Sequence, residues 1–345
     1  MAPVSSTQVK LSDVAHAAGV SVTTASRALN GRAKAFRISE KTAANVRDVA
    51  AKLGFQPSQV ARSLQSQRTG LVGVVVPDVA NPFFAAIARE ITLAAEAAEF
   101  SVLLADSQED TDREIKLVQA FCNRQVEALV VCPVGIAFDH LHEVERSGRP
   151  LVLVDRTSPQ QSFLQVTSGH RTGAQAVTQL LLDQGHRRIG IVQGLPGTLP
   201  NEARRRGVAD ALHAVGLSSD SLPIAGDNFT EQSGYQAASQ LLKEHPELTA
   251  LIAFSAPNAF GALRAAQQAG RRVPDELSLV AFDDSPFADF MQVPVSTAAQ
   301  NVAKLGQRAA ELVLSVVQTG QPPAQRLHEI DVSIIQRSSI QELTS

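Results

Sequence analysis

Between residues 11 and 57 apolar side chains return every three or four positions, the period of a helix with one buried face; beyond residue 70 they bunch into short unbroken runs. Leu11, Val14, Ala15 and Ala18 mark a first helix, which Gly19 stops. Ser21 can cap a second, whose inward face is Ala25, Ala28 and Leu29. The small residues Ala15, Ala25 and Ala28 let the two helices approach closely, and the tight glycine-containing turn between them makes a helix-turn-helix. The outer face of the second helix then carries Val22, Thr23, Ser26 and Arg27. A third helix runs from a Ser39 cap through Thr42, Val46, Val49 and Leu53 to Gly54, and completes a three-helix core with Phe55.

The unbroken runs are LVGVVVPD (71–78), FSVLLAD (100–106), ALVVCPV (128–134) and PLVLVD (150–155), separated by stretches of helical period. The pattern then restarts with RIGIVQG (188–194), SLPIAGD (221–227), ALIAFS (250–255) and LSLVAFDD (277–284). Near-continuous apolar strands alternating with helices predict a parallel, doubly wound sheet buried on both faces. Two such halves in tandem predict two lobes with a cleft between them, and a ligand beyond the carboxyl ends of the strands. At those ends stand Asp78, Asp106, Asp155 with Arg156, Ser255, and Asp283 with Asp284.

Charge divides the chain the same way. Residues 1–70 hold ten basic and three acidic side chains, a net +7, while the other 275 hold 21 basic and 31 acidic, a net −10. A basic head on an acidic body fits one end that meets a polyanion. At 345 residues and 44% hydrophobic content the chain is long enough for two or three domains. Cys122 and Cys132 stand far from other metal-ligand residues and read as packed, reduced thiols; no metal or cofactor is expected. The N-terminal segment MAPVSSTQVK has no signal-peptide core and no apolar run is long enough to span a bilayer, so a cytoplasmic chain without a membrane partner is expected.

Taken together, "VKLSDVAHAAGVSVTTASRALNG", "FQPSQVARSLQSQRTGLVGVVVPDVANPFF", "VLVDR" and "VAFDD" resemble the lactose/galactose-repressor family of bacterial transcription regulators, from about Val9 to Ser339. The loop "NGRAKAFRIS" and the segment "FQPSQVARSL" are similar to those of fructose- and sucrose-type repressors. The resemblance implies an all-α, three-helix DNA-binding domain over 9–57 and a hinge helix over 58–69. A two-lobed α/β body like periplasmic binding proteins follows, one lobe being 70–168 with about 299–326 and the other 169–298 with about 327–341.

It further implies that Val22, Thr23 and Arg27 read bases in the major groove while Ser21, Thr24, Ser26 and Asn30 hold phosphates. The hinge would enter the minor groove, with Leu64 as the wedge between base steps, Ala61 allowing close approach, and Arg62 near the backbone. In the cleft the matching positions are Phe83, Phe84, Asp106, Arg156, Arg204, Ser255 and Asp283. Guanidinium groups opposite carboxylates, with an aromatic wall, suit a sugar or sugar phosphate. Two positions depart from the family pattern: Ser255 and Ala256 replace a common Asn-Asp pair, and Ala281 replaces a common glycine.

The function expected is thus a dimeric, operator-binding repressor under allosteric control of the cleft ligand. The alternatives are a cytoplasmic sugar-binding protein without a regulatory role and a repressor that has lost its effector response. Catalysis is not expected, because no phosphate-cradling glycine loop, G-x-S-x-G elbow or metal-ligand spacing is present. His170 and His186 read as surface or helix-end residues.

Overall fold

The computed structural model describes residues 9–343 apart from 32, 56–67, 160–161 and 221. The chain forms two compact units, Met1–Thr69 and Gly70–Ser345. The first contains α1 (Leu11–Ala17), α2 (Val22–Leu29) and α3 (Glu40–Leu53), with a short 3-10 turn at Lys34–Phe36. Ser21 and Ser39 cap α2 and α3, each hydroxyl accepting from the backbone N–H three residues on, Thr24 and Thr42, at 3.1 Å. The core is nearly all alanine and valine: Val14, Ala15, Ala25, Ala28, Ala43, Val46 and Ala50. Such small side chains allow three short helices to pack tightly, and Asn45 ties α3 to the turn by donating to the Ala18 carbonyl at 3.2 Å. Leu53 departs from the sequence expectation: it is exposed, because the buried face of α3 runs through Ala43, Val46 and Ala50 and ends one turn earlier.

The second unit holds two six-stranded sheets. The first is built from β1 (Leu71–Val76), β2 (Ser101–Asp106), β3 (Ala128–Val131), β4 (Leu151–Val154), β5 (Leu164–Ser168) and β11 (Leu327–Ile330), in the order β11-β5-β4-β3-β1-β2. The second, from β6 (Ile189–Val192), β7 (Ile224–Ala225), β8 (Ala250–Ala253), β9 (Ser278–Phe282), β10 (Ser296–Ala299) and β12 (Ser333–Ile335), repeats that order as β12-β10-β9-β8-β6-β7. All pairs are parallel except β10 with β12. All eight apolar runs of the sequence are strands.

Helices cover both faces of each sheet, as parallel sheets require. Against the first lie α4 (Pro82–Ala97) and α11 (Val302–Thr319) on one face, and α5 (Thr111–Asn123) and α6 (Asp139–Arg146) on the other. Against the second lie α7 (His170–Asp183) and α8 (Leu199–Ala214) on one face, and α9 (Glu231–Glu244) and α10 (Ala256–Gln268) on the other. The chain passes between the sheets after β5, after β10, and between Ile330 and Ser333. The last passage corrects the expected one at 327, since β11 pairs with β5 in the first sheet, Leu327 opposite Gln165. Among the described residues no helix is long and apolar enough to cross a membrane. Both cysteines are free, Cys132 buried and Cys122 half-buried.

Candidate nucleic-acid interface and inter-lobe site

In the first unit the buried Ala25 and Ala28 fix which way α2 faces, and Val22 and Thr23 stand exposed at its N-terminal end. Arg27, one turn on, lies with its guanidinium 3.8 Å above the ring of Phe36, which the 3-10 turn delivers. Stacking of this kind occupies the face of the guanidinium and leaves its N–H edge for hydrogen bonds. Ser21 is committed to the cap and shares a 2.8 Å hydrogen bond with the Thr24 hydroxyl. Asn30 donates to the Ser26 hydroxyl at 3.4 Å. Ala61, Arg62 and Leu64 lie outside the described residues.

In the second unit the two sheets have equivalent strands, β4 and β9, and each ends on an aspartate in the left-handed region: Asp155 at φ 67° and Asp283 at φ 66°. Aspartate tolerates that conformation better than most residues. Both turns are held alike, Asp155 N–H donating to the Val166 carbonyl at 2.9 Å and Asp283 N–H to that of Ala298 at 3.1 Å. Arg156 follows Asp155 and is buried; both its terminal nitrogens bond the Glu109 carboxylate, one of them at 2.6 Å. Glu109 reaches it from a turn in which Gln108 and Glu109 both have φ 55°. Asp106 supports that turn by accepting from the Gln108 N–H at 3.0 Å. The sequence pointed to Asp106 at this strand end; the carboxylate on the arginine belongs to Glu109.

Arg204 enters from α8 and is likewise buried. It donates to the Phe254 carbonyl, meets His170 Nδ1 at 3.2 Å, and lies 4.1 Å above the ring of Phe282. Phe229 lies beneath both guanidiniums, 5.0 Å from Arg156 and 5.8 Å from Arg204, and Phe84 lies 5.7 Å from Arg156. Phe83 meets the Phe84 ring edge-on at 5.0 Å. Gln300 donates to Asp283 at 2.5 Å. The Ser255 hydroxyl is used in the cap of α10, accepting from the Asn258 N–H at 3.1 Å.

The relation of α8 to α7 fixes Arg204 beside His170, and it depends on one glycine. A Cβ on Gly207 would stand 2.1 Å from the Arg171 carbonyl oxygen, so only glycine lets the helices approach this closely.

Burial pushes the Asp155 carboxyl up to about 6, with Arg204 and Arg156 pulling the other way. Burial also raises Asp283, against the pull of Arg204 and the Gln300 hydrogen bond. His170 falls well below the usual histidine range, first through burial and then through the positive charge of Arg204, and is neutral. It starts α7, as a helix-end residue would, but is buried and not on the surface; His186 is buried too, between the Thr249 hydroxyl and the Gln341 carbonyl.

Several buried atoms of this cluster have no hydrogen-bond partner among the described residues: Asp155 Oδ1, Gln300 Oε1 and Arg204 Nε, with Thr157 Oγ1 and Ser168 Oγ nearby in sequence. Buried polar groups are paired as a rule, with protein, ordered water or a ligand, so these atoms call for a partner from outside the chain. Beside Arg156 a cavity of about 500 Å³ opens between the lobes, lined by Ile136, Phe138 and Thr157 from one and Leu199, Glu202 and Arg206 from the other. Its wall is braced by Glu114, which accepts from the Val134 N–H at 2.7 Å and from His140 Nε2 at 2.8 Å. Among the described residues no group of three or more His, Cys, Asp or Glu side chains could hold a metal ion.

Glu109, Phe229 and Gln300 were not reached from the sequence, and His170 was read there as a surface or helix-end residue. For Glu109 the available signal was its position in the turn after a strand end; for the others no local pattern exists.

Comparison with known proteins gives matches over nearly the whole chain. Residues 10–58 match the description "Bacterial regulatory proteins, lacI family", and residues 178–340 match "Periplasmic binding protein-like domain". The catabolite control protein A of Priestia megaterium is 30% identical over 88% of this chain and 91% of its own length. The ribose operon repressor of Halalkalibacterium halodurans is 30% identical over 95% of this chain and 96% of its own. Among solved structures, the lac repressor dimer bound to operator and an anti-inducer has the same fold, with a TM-score of 0.85 and 24% identity over 96% of this chain and 99% of that one.

Proposed function

Because the chain belongs to the lacI family of bacterial regulatory proteins and is a DNA-binding transcriptional repressor, we propose that it binds a two-fold operator as a homodimer under control of a sugar or sugar phosphate in the inter-lobe cleft. The observation that carries this reading is α2, capped by Ser21 and turned by its buried alanines so that Val22, Thr23 and Arg27 face outward. A helix so presented fits the major groove, where Arg27 would take a bidentate contact and Val22 and Thr23 would meet base edges. Ser21, Thr24, Ser26 and Asn30 would lie along the phosphates and fix the register.

The head is assigned to residues 9–57 and the hinge to 58–69, with Leu64 as the minor-groove wedge beside Ala61 and Arg62. A wedge costs a few kcal/mol of unstacking and gains a bent duplex that touches more protein, and a two-fold site calls for two copies of it. In the body, Phe83, Phe84, Arg156, Arg204 and Asp283 would line the effector site, with Asp106 behind the turn of Glu109 and Ser255 behind α10. A ligand bridging both lobes would change the spacing of the two hinges and so the affinity for DNA. A repressor acting on bacterial DNA works in the cytoplasm.

Selection of binding sites from a random DNA pool, followed by sedimentation of the complex, tests the reading. Two inverted half-sites and two chains per duplex are expected. Enrichment of no sequence, or one chain on an asymmetric site, would overturn it.

A further inference from the structure

The segment between α2 and α3 is fastened to the head core at both ends and stands off it in between. Ala33 is buried in that core, Ile38 packs against it, and the Ile38 N–H donates to the Ala33 carbonyl at 2.9 Å. Between them the 3-10 turn Lys34–Phe36 and the following Arg37 are exposed. Phe36 has no place in the core: it is 44% exposed, and its ring lies under the Arg27 guanidinium. Arg37 is held at φ 56°, in the left-handed region that a non-glycine residue occupies only where its surroundings fix it. Its N–H donates to the Lys34 carbonyl at 3.2 Å, and the reversal returns the chain to the core at Ile38.

The segment carries charge of one sign only. From residue 33 to residue 39 the side chains include Lys34 and Arg37 and no carboxylate, and the next carboxylate along, Glu40, is engaged by Arg47 at 2.5 Å. Among the described residues neither Lys34 nor Arg37 makes an ion pair or a side-chain hydrogen bond. Two unpaired cations beside a third, with an exposed ring, add nothing to the packing of the head. A polyanion supplies the partner they lack. The stack fixes where they would meet it, because Phe36 touches the guanidinium of Arg27, Arg37 is the next residue, and Lys34 stands two residues before.

We propose that residues 33–38 form a second DNA-contacting element of the head, in which Phe36 positions Arg27 for its base and Lys34 and Arg37 hold backbone phosphates beside that base pair. This rests on the reading of α2 as the helix in the major groove. Ser21 and Thr24 would dock the capped start of α2, and the turn docks its far end, so the helix is held on the duplex at both ends. Phe36 is a positioning residue. With a flat ring under it the guanidinium loses freedom before DNA arrives and keeps its N–H edge for the base.

The test is fluorescence anisotropy of the full chain on its selected operator and on duplexes changed at one base pair each, over a range of salt concentrations, with a melting curve for every variant. Arg37→Gly is the most direct substitution, because glycine adopts φ 56° without strain and only the guanidinium is lost, so the melting temperature should hold or rise. Arg37→Gly and Lys34→Ala should each weaken binding to all duplexes alike and lower the slope of log affinity against log salt by about 1 for each head bound. Phe36→Leu should leave the salt slope in place and narrow discrimination at a single base pair by about 2- to 5-fold, and Phe36→Tyr should restore it. An unchanged salt slope in either cation variant would overturn the inference. So would a Phe36→Leu loss that is spread over all duplexes or matched by a fall in melting temperature. A parent chain with no sequence preference would overturn the placing of α2 instead, and the salt slopes, read then on any duplex, still decide whether Lys34 and Arg37 touch phosphates.

Discussion

The head and the cleft solve opposite problems. In the head, the core is made of small apolar side chains, and Val22, Thr23 and Arg27 lie off it, so they cost the fold little to display. In the cleft Arg156 and Arg204 are themselves buried and Asp283 is half-buried, and each charge is tolerated only through its neighbours: Arg156 through Glu109, Arg204 through a carbonyl and a histidine, Asp283 through Gln300. The head can therefore change its DNA preference by single surface substitutions with little effect on stability. A change to the lining of the cleft alters the packing between two lobes, and the cleft holds polar groups that the protein alone leaves unsatisfied.

Four substitutions sharpen this contrast. The largest effect is expected at Gly207: Gly207→Ala drives a Cβ against the Arg171 carbonyl, separates α8 from α7, and should cost about 3 kcal/mol in urea denaturation. A cost under about 0.5 kcal/mol, the range of an ordinary surface change, would show that the two helices shift freely. Next is Asp155→Asn. The folded-state pKa of Asp155 lies above its ordinary value of 3.8, at about 6, so the folded protein loses stability as pH rises through that window and the loss is complete above it. The variant should gain about 3 kcal/mol over the parent at pH 8 and about 0.5 kcal/mol or less at pH 4. A gain equal at both pH values would mean that the charge of Asp155 is not what destabilises the fold.

In the head the expectation reverses. Arg27→Ala should leave the melting temperature in place and cost about 2 kcal/mol in operator binding, with discrimination lost at one base pair. A loss spread evenly over all sequences would make Arg27 a phosphate contact. The smallest effect is Phe36→Ala, about 0.5–1 kcal/mol in binding through loss of the stacked platform under Arg27. In an Arg27→Ala background the Phe36 effect should vanish; if it persists, Phe36 touches DNA or the core on its own account.

The same contrast decides what could be read from the chain. The helix-turn-helix was legible because its signals are local: a glycine stop, a serine cap, alanines at close spacing, all within about twenty residues. The eight apolar strands were legible for the same reason. The strands that escaped notice, β5, β10, β11 and β12, are short or polar; β5 carries Gln165, Thr167 and Ser168, and is buried because it lies between β4 and β11 with α11 packed on Leu164 and Val166. In the cleft, Asp155, Arg156 and Asp283 were legible at their strand ends, and Arg204 only through resemblance. His170 and Gln300 join them from separate passages of the chain between lobes, and Phe229 from the loop after β7. No spacing along the sequence encodes that meeting, because the sheet order creates it.

The account's central claim is that the cleft speaks to the head, and one measurement addresses it directly: the dissociation constant for the selected operator, by fluorescence anisotropy at fixed salt, with and without a saturating cleft ligand. A coupling of 1–3 kcal/mol, about a 5- to 150-fold change in affinity, is predicted, and it should disappear in Arg204→Ala. Equal affinity in the two conditions, with the ligand shown to be bound, would contradict the claim and leave a DNA-binding protein whose cleft serves some other end.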